Sequence, residues 1–322
     1  MALTLLGSLQ MKRNMDSILS WSKNSVVSGK SCSRSVWSTT PVTAMTPKVA
    51  LVTGSNKGIG LAIVRALCGQ FEGDVYLTAR DRARGEEAVK KLNSEGLKPN
   101  FLQLDITDVS SISRAAAFFR DTYSGLDVLI NNAAIAFKEE DSTPYGVKAQ
   151  VTLQTNFFGT RDMLTHFMPL IKPGGRVVNV SSLWGSVTMN KCSAELQQQF
   201  RREDITEEEL VELMRGFIQS AQTGQTLEHG WPQLMHGVYG VSKTGMTTLS
   251  MIVARRTSKE RPHDNILVNA CCPGWVHTDL NDHTGPKTPD EGAVTPAYLA
   301  LLPPGAKEPH GCLVSDKQVQ PW

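Results

Sequence analysis

Short apolar runs alternate along the chain with longer segments in which apolar residues recur every three or four positions. The runs are bounded by turn-forming residues, and they predict strands at 49–52, 74–79, 100–104, 126–132, 175–180 and 266–270. The segments between them, such as GLAIVRALCGQF and SISRAAAFFRDTY, have the period of helices. Strands that alternate with helices indicate right-handed crossovers onto a parallel sheet. The predicted fold class is therefore α/β, with a doubly wound parallel sheet.

In sheets of this kind, ligands bind beyond the carboxyl ends of the strands. The residues that follow the predicted strands are therefore expected to meet at one edge of the sheet. They are Gly54, Arg80, Asp105, Asn132, Ser182 and Pro273.

Three glycines, Gly54, Gly58 and Gly60, lie between the first strand and the first helix in TGSNKGIG. Without side chains, this turn allows close approach of a pyrophosphate and packing of the helix on the sheet, and the helix N-terminus faces the anion. Glycines also occur in many strand–helix turns for steric reasons alone. The triplet by itself is therefore weak evidence for a nucleotide site.

Two cations near this turn favour NADP over NAD. An NAD site places an acid about 20 residues further on, at the end of the second strand, to bind a ribose hydroxyl. The residue there is Arg80, and Lys57 lies within the glycine loop. Either one alone is equally well explained as a solvated surface cation. Together they predict charge-assisted bonds to a 2′-phosphate, so the predicted cofactor is NADPH.

The chain resembles the short-chain dehydrogenase/reductase family through TGSNKGIG, LDIT, NNAA, NFFG, NVSS, YGVSK and PGWVHT, in the family's order over about residues 48–316. Within that family, VALVTGSNKGIGLAIVRALC and NACCPGWV are most similar to the monomeric NADPH-dependent carbonyl reductases. The usual NNAG is NNAA here, so Ala134 adds a methyl group where the backbone passes the cofactor. The resemblance implies a Rossmann-type fold and reduction of quinones, aromatic ketones and aldehydes, with steroids or prostaglandins as further substrates.

Tyr239 and Lys243 lie one helical turn apart in YGVSK, so both project from one face of a helix. A phenol has a pKa of about 10, and a nearby ammonium would bring it closer to the range of a proton donor. By resemblance, Tyr239 gives its proton to the substrate carbonyl and Lys243 also binds the nicotinamide ribose. The resemblance also implies that Ser182 donates a hydrogen bond to the same carbonyl oxygen, and that Asn156 holds a water that links Lys243 to solvent. Taken singly, these residues also fit a surface pair, a turn serine and a core amide.

The resemblance extends the predicted cofactor site beyond the loop. Its residues are Gly54, Asn56, Lys57, Gly58, Ile59, Gly60, Arg80, Asp105, Ile106, Asn132, Tyr239, Lys243, Val276 and Thr278. The predicted substrate site contains Ser182 and Trp275, and glutathione conjugates are implied at Phe137, Lys138 and Gln150. Trp275 equally fits a packing role. Lys138, which precedes two glutamates, equally fits a solvated loop charge.

An insertion of helices is predicted at about residues 185–236, because 56 residues separate Ser182 from Tyr239. Thr206, with acids in the next turn, is a helix cap, and Leu210, Leu213 and Ile218 follow at helical spacing. In the carbonyl reductases that the chain resembles, such an insertion covers the helices through which relatives dimerise. The resemblance therefore implies a monomer, and a module that binds another protein is the alternative.

Residues 1–45 are Ser-rich, carry five basic residues against Asp16, and have no hydrophobic periodicity after about Trp21. They are predicted to be a disordered leader or alternative N-terminus, outside a single domain at 46–322. The composition fits a mitochondrial presequence, and Met45 before TPKVALVTG fits an alternative start. The predicted location is therefore the cytoplasm, or mitochondria if residues 1–45 direct import.

The charge and the cysteine spacing of the chain argue against a nucleic-acid partner and against a metal site. The net charge is +2, and residues 1–45 contribute +4 of it, so the remainder lacks a basic excess for nucleic acid. Cysteines at 32, 68, 192, 271, 272 and 312 lack metal-site spacing and are typical of reduced thiols in an intracellular protein, so no metal is predicted. No apolar run reaches the ~18–20 residues that span a bilayer.

Two functions from different classes remain. The first is an NADPH-dependent reductase whose partner is a small-molecule carbonyl. The second is a nucleotide-sensing binding protein without turnover, which would have no use for Tyr239 and Lys243.

Overall fold

In a computed structural model, the protein is described over residues 47–138, 140–234 and 236–322. Its strands are β1 (Val49–Val52), β2 (Asp74–Ala79), β3 (Asn100–Gln103), β4 (Leu126–Asn131), β5 (Ile171–Val180), β6 (Leu267–Cys272), β7 (Leu313–Ser315) and β8 (Gln318–Gln320). They form one sheet in the order β3-β2-β1-β4-β5-β6-β7-β8. All neighbours are parallel except β7 and β8.

The helices are α1 (Gly58–Gln70), α2 (Arg82–Ser94), α3 (Val109–Tyr123), α4 (Tyr145–Leu153), α5 (Thr160–Phe167), α6 (Leu183–Met189), α7 (Ala194–Arg201), α8 (Glu207–Thr223), α9 (Gly237–Glu260) and α10 (Pro289–Ala300). A π-helical turn, Gln154–Gly159, joins α4 to α5, and 3₁₀ turns lie at Met168–Leu170 and Asp279–Asn281. The prediction of a doubly wound α/β sheet is confirmed.

Two apolar cores lie on opposite faces of the sheet, and strands β1, β2, β4, β5 and β6 contribute to both. In β1, Val49 and Leu51 belong to one core and Ala50 and Val52 to the other, because successive side chains of a strand point to opposite faces. Helices α3, α4, α5, α8 and α9 cover the first face, and α1, α2 and α10 cover the second. Each fully buried large aliphatic or aromatic side chain stabilises the fold by about 1.5–3 kcal/mol relative to exposure.

The chain reverses its direction of winding between β1 and β4, which are neighbours in the sheet. Helices leave these two strands toward opposite faces, so a crevice opens at their carboxyl ends. The glycine loop follows β1 at this point, and Asn132 follows β4. The topology therefore places the predicted cofactor loop at the crevice.

The predicted strands are present, with small differences at their ends. Strand β5 begins four residues before the predicted start at 175, and β6 ends at Cys272 rather than at 270. Strands β7 and β8 were not predicted, because three residues each are too few to show a period of two.

Helices α6, α7 and α8 occupy the insertion. Helix α8 begins with a reciprocal cap: the Glu209 N–H donates to the Thr206 hydroxyl at 3.1 Å, and the Thr206 N–H donates to the Glu209 carboxylate at 2.8 Å. It packs closely on α4, since a Cβ on Gly146 would lie 2.7 Å from the Cα of Gln222. The insertion therefore covers the outer face of α4.

Residues 1–46 lie outside the described part of the chain, and the prediction for residues 1–45 falls there. Among the helices that are described, none combines the length and the apolar character needed to cross a membrane. The five cysteines of the described part, at 68, 192, 271, 272 and 312, are free thiols.

Candidate active site

The glycine loop is packed too tightly for side chains at two of its positions. A Cβ on Gly54 would lie 2.8 Å from the Cα of Ala133, and one on Gly60 would lie 2.5 Å from Nδ2 of Asn132. Gly54 and Gly58 also have φ of 59° and 55°, in the left-handed region that favours glycine. These glycines are therefore required by the turn itself.

Asn132 fastens this loop to the end of β4. Its Nδ2 donates to the carbonyl oxygens of Thr53 and Gly54, both at 3.0 Å. The backbone N–H groups of Asn132 and Ala133 both donate to the Thr53 hydroxyl, again at 3.0 Å. The sequence places Asn132 near the adenosine ribose, and the structure shows that its amide supports the loop.

The N-terminus of α1 provides the rest of a dinucleotide cradle. Lys57 occupies the N-cap position without a side-chain capping bond, and the first turn contains no acid. The first N–H groups of the helix are therefore available to an anion. This cradle, clear of side chains, fits the pyrophosphate of a dinucleotide.

The end of β2 fits a 2′-phosphate. Arg80 is exposed, and its guanidinium makes no ion pair with any described residue. The neighbouring carboxylate of Asp81 caps α2 by accepting the N–H of Arg84 at 2.9 Å. The cation, rather than the acid, is therefore free to meet the cofactor here.

The turn after β3 lies further along the same edge of the sheet. Asp105 accepts the N–H and the hydroxyl of Thr107 at 2.9 and 2.7 Å, which fixes this turn. Ile106 is buried, and Asn56 and Ile59 are half-buried in the glycine loop. Their positions agree with the crevice, but none of them shows a chemical property beyond packing and turn formation.

Lys243 is the buried cation of the site. It is 1% exposed, and its Nζ donates to the carbonyl oxygen of Val180 at 2.7 Å. The same Nζ lies 5.4 Å from the ring centre of Tyr239. Burial lowers the pKa of Lys243 to about 8, while the thiols of Cys271 and Cys272 act in the opposite direction.

Tyr239 lies one turn before Lys243 on α9. Although part of this residue faces solvent, desolvation of the phenol raises the pKa of Tyr239, and Cys272 adds to the increase. Interaction with the Ser182 hydroxyl lowers the same pKa. The pKa of the phenol is therefore raised, and not lowered by the nearby ammonium as the sequence predicts, because desolvation is the larger effect. The phenol carries its proton at neutral pH, which is the form that a proton donor needs.

The two adjacent serines after β5 have different roles in the structure. Ser181 is buried, donates to the carbonyl oxygen of Lys243 at 3.1 Å and shares a 2.7 Å hydrogen bond with Thr247. Ser182 caps α6 by accepting the N–H of Trp184 at 3.1 Å, and it remains half-exposed beside Tyr239. Ser181 thus holds α9 in place, while Ser182 is the serine that substrate can reach.

Asn156 lies in the π-helical turn and is fully buried. Its Oδ1 accepts the N–H of Ile135 at 2.8 Å, and its Nδ2 donates to the Ile135 carbonyl at 2.9 Å and to the Ser242 hydroxyl at 3.0 Å. The Ser242 hydroxyl in turn donates to the Tyr239 carbonyl at 2.7 Å. Asn156 therefore connects the loop after β4 to the turn of α9 that carries the phenol, and π-turns often occur at functional sites.

The chain after β6 passes over the glycine loop. Val276 is buried, and its Cγ2 would lie 2.7 Å from a Cβ on Gly292. The methyl group of Thr278 would lie 3.4 Å from a Cβ on Gly58. Thr278 therefore lies against the glycine loop, and Val276 packs on Gly292 of α10, which also faces Ile59 of that loop.

Two tryptophans near site residues in the sequence have exposed indole rings. Trp275 is 61% exposed and Trp184 is 37% exposed. The indole of Trp184 meets the His236 ring edge-on at 6.4 Å, and His236 lies three residues before Tyr239. Neither Trp184 nor His236 is among the site residues that the sequence predicts. The position of Trp184, two residues after Ser182, is the signal that could have identified it.

Phe137, Lys138 and Gln150 do not form one cluster. Lys138 pairs with the carboxylate of Asp282, and the Phe137 ring lies 5.8 Å from Nζ of Lys148. Gln150 lines a separate groove, which is bordered by Gln154, Phe158, Arg161, Asp162, Arg215, Ile218, Gln219 and Gln222. That groove contains none of the other predicted site residues.

Lys57 has a partner that the sequence did not suggest. Its Nζ donates to Oδ2 of Asp279 at 2.6 Å, and both side chains are more than half exposed. Lys57 lowers the pKa of the Asp279 carboxyl, and Nε2 of His283 lies 3.0 Å from the other oxygen of that group. A separation of 222 residues along the chain gave no local pattern from which this pair could be predicted.

Comparison with known proteins agrees with this geometry. Residues 48–194 match the family model for short chain dehydrogenase. Carbonyl reductase [NADPH] 1 of Homo sapiens and of Rattus norvegicus are each 58% identical over 274 residues, which cover 85% of this chain and 98% of the relative. Salutaridine reductase from Papaver somniferum aligns with a TM-score of 0.73 at 29% identity, over 84% of this chain and 99% of that structure. Menthone neomenthol reductase from Mentha piperita gives 0.70 at 27% identity, over 85% and 100%.

Proposed function

Because the chain belongs to the short-chain dehydrogenase/reductase family, we propose that it reduces lipophilic carbonyl compounds to alcohols with NADPH. The substrates are quinones, aromatic ketones and aldehydes, and extend to steroids or prostaglandins. The observation that carries the proposal is the placement of the Lys243 ammonium 5.4 Å from the Tyr239 ring, next to Ser182. Ser182 follows β5 at the edge of the sheet that also carries the glycine loop, and α9 brings Tyr239 and Lys243 to it.

NADPH, when bound, supplies the hydride that is added to the carbonyl carbon. The Ser182 hydroxyl donates a hydrogen bond to the carbonyl oxygen, and the Tyr239 phenol donates its proton to that oxygen. Lys243 stabilises the phenolate that remains, because its charge lies close to the ring in a site shielded from water. Asn156 keeps this turn of α9 in position through Ser242.

The residues of the proposed cofactor site lie at the same edge of the sheet. The N-terminus of α1 with Gly54, Gly58 and Gly60 receives the pyrophosphate, and Lys57 with Arg80 binds the 2′-phosphate. On this proposal the adenosine side would be held by Asn56, Ile59, Asp105, Ile106 and Asn132, and the nicotinamide side by Val276 and Thr278. Tyr239 and Lys243 complete the site.

The test is the loss of NADPH absorbance with menadione and with an aromatic ketone. Tyr239→Phe removes one oxygen, and we expect kcat to fall by about 10²–10⁴-fold with NADPH binding retained. Tyr298→Phe removes the same atom from α10 and serves as the matched control. No turnover by the wild type would contradict the proposal and favour the nucleotide-sensing alternative, which no observation on this chain supports.

Glutathione conjugates are a finer proposal for the substrate. Phe137 and Lys138 follow β4 near the crevice, so Lys138 could meet a carboxylate of the conjugate. Asp282 already pairs with Lys138, and Gln150 lies in the separate groove. A conjugate must therefore displace Asp282, and any preference for it is weak.

We also propose that the protein is a monomer. Helix α8 covers α4, and Glu207 at its start receives Arg161 of α5 at 2.7 Å and Arg256 of α9 at 2.9 Å. The insertion thus lies on helices that relatives use for dimerisation. Sedimentation of the full chain should give a mass near 35.2 kDa, and a dimer would contradict the proposal.

The proposed location is the cytoplasm, because scattered free cysteines are typical of a reducing compartment. Import into mitochondria through residues 1–45 is the alternative. A reporter fused to residues 1–45 distinguishes them: a diffuse signal supports the cytoplasm, and import of the reporter contradicts it.

A further inference from the structure

Residues 278–285 are tied to two loops of the sheet edge by two ion pairs. Asp279 pairs with Lys57 of the loop after β1, and Asp282 pairs with Lys138 of the loop after β4. All four side chains are substantially exposed. The segment is therefore held across the crevice by contacts that water can replace at small cost.

One of these cations is also required by the cofactor. Lys57 is a proposed ligand of the 2′-phosphate, yet its Nζ already donates to Asp279 at 2.6 Å. A phosphate near this ammonium would also be repelled by the Asp279 carboxylate, since like charges at such distances disfavour each other. The two anions therefore compete for Lys57.

Resting on the proposed use of NADPH, we propose that Asp279 is a specificity-determining residue for the cofactor. Its carboxylate competes with the 2′-phosphate for Lys57, so that NADPH, but not NADH, releases Asp279. NADH has no phosphate at this position and leaves the Lys57–Asp279 pair intact.

Release of Asp279 changes the mobility of the segment that borders the substrate. Asp279 opens the 3₁₀ turn Asp279–Asn281, four residues after the exposed Trp275. After release from Lys57, the Asp279 carboxylate retains its contact with His283, which lies within the segment itself. The ion pair between Lys138 and Asp282 is then the remaining one of the two that join the segment to the loops of the edge. The phosphate thus loosens one end of the segment, and NADH does not.

The test compares the dissociation constants of NADPH and NADH, measured by fluorescence of the reduced nicotinamide at low ionic strength. Asp279→Asn keeps the shape of the side chain, and the cap of this turn is made by Thr278 and Asn281. We expect the ratio Kd(NADH)/Kd(NADPH) to rise by up to about fivefold, the equivalent of an exposed ion pair of up to about 1 kcal/mol. The matched control is Asp282→Asn, which removes the same charge from the other ion pair and should leave the ratio unchanged.

An unchanged ratio in Asp279→Asn, or an equal change in both variants, would overturn the inference. Failure of the wild type to bind NADPH would instead contradict the proposed function. The two failures are therefore distinguishable.

Hydrogen exchange of residues 278–285 gives a second readout, which does not depend on activity. In the wild type, saturating NADPH should increase exchange of this segment relative to saturating NADH. In Asp279→Asn the two cofactors should give the same exchange. Equal exchange with both cofactors in the wild type would overturn the inference.

Discussion

The crevice has a buried floor and an exposed rim, and they are built from different interactions. The floor consists of the buried residues Gly60, Asn156, Ser181 and Lys243, and it is adjoined by the half-buried Ser182 and Tyr239. The rim consists of Lys57, Arg80, Lys138, Asp279 and Asp282. In the floor, Asn156 uses both ends of its amide, and Lys243 donates to a backbone carbonyl. In the rim, the charges either pair in solvent or have no partner among the described residues.

This difference separates chemistry from selectivity. Removal of a buried polar partner costs about 1–3 kcal/mol, whereas an exposed ion pair contributes about 0–1 kcal/mol. The geometry that moves a proton is therefore held firmly, and the charges that choose between cofactors and substrates can exchange partners. Substitutions in the floor and in the rim should accordingly differ in the size of their effects.

The largest expected effect is the pH dependence that the buried amine of Lys243 imposes on stability. Burial lowers its pKa from 10.5 to about 8, so between these values the unfolded chain binds a proton that the folded chain lacks. Stability should therefore rise as pH increases through this window, and the burial penalty should be fully present below it. Lys243→Met should abolish this increase, which amounts to about 1.4 kcal/mol for each pH unit.

Chemical unfolding at several pH values between 7.5 and 10.5 measures this effect as the difference between wild type and variant. Lys259→Met removes an exposed lysine of the same helix and is the control. Parallel curves for the wild type and Lys243→Met would contradict the distinction between floor and rim.

The next effect concerns the fit of the glycine loop. In Gly60→Ala the new Cβ would lie 2.7 Å from the Gly54 carbonyl oxygen, so the backbone must shift, and we expect a loss of about 1–3 kcal/mol in unfolding free energy. Gly69 lies in the same helix with no atom within 4 Å of a Cβ. Gly69→Ala should instead stabilise by about 0.5–1 kcal/mol, because alanine favours helix. Urea unfolding measures both, and equal effects would show that the loop tolerates a side chain.

Most residues of the floor and the three cations of the rim could be identified from the sequence, whereas the rim carboxylates Asp279 and Asp282 could not. The glycine loop and the spacing of Tyr239 and Lys243 are local patterns, and the alternation of strands with helices brings them to one edge. The ion pair between Lys57 and Asp279 joins residues that lie 222 positions apart in the chain and are exposed to water. No local sequence pattern therefore predicts it. Trp184 was missed for another reason: it lies only two residues after Ser182, but its place beside the site depends on how α6 packs against α9.

The substitution Arg80→Asp tests whether a single rim residue can have a large effect on the preference for NADPH over NADH. Arg80→Asp replaces a cation that has no ion pair among the described residues with the acid that an NAD site uses at the end of β2. We expect NADPH to lose about tenfold in kcat/KM relative to NADH, because the 2′-phosphate loses a charge-assisted bond and gains a repulsive neighbour. Steady-state kinetics with both cofactors measures the ratio. Arg82→Asp, at an exposed position of α2, is the control, and an unchanged ratio in Arg80→Asp would show that Arg80 does not meet the phosphate.

The smallest effect is expected at Lys138, where the rim meets the substrate. Asp282 raises the pKa of Lys138 by pairing with it, so the ammonium is charged but already has a partner. A glutathione conjugate gains only the difference between its carboxylate and that of Asp282, which for an exposed pair is at most about 1 kcal/mol, or roughly fivefold in kcat/KM. We therefore expect Lys138→Ala to lower kcat/KM for a glutathionyl quinone by less than this and to leave the parent quinone unaffected. Asp282→Asn should act in the opposite direction on the conjugate, because it frees the lysine. Equal losses for both quinones in Lys138→Ala would show that the lysine supports the loop rather than the peptide, and would remove glutathione conjugates from the proposed substrates.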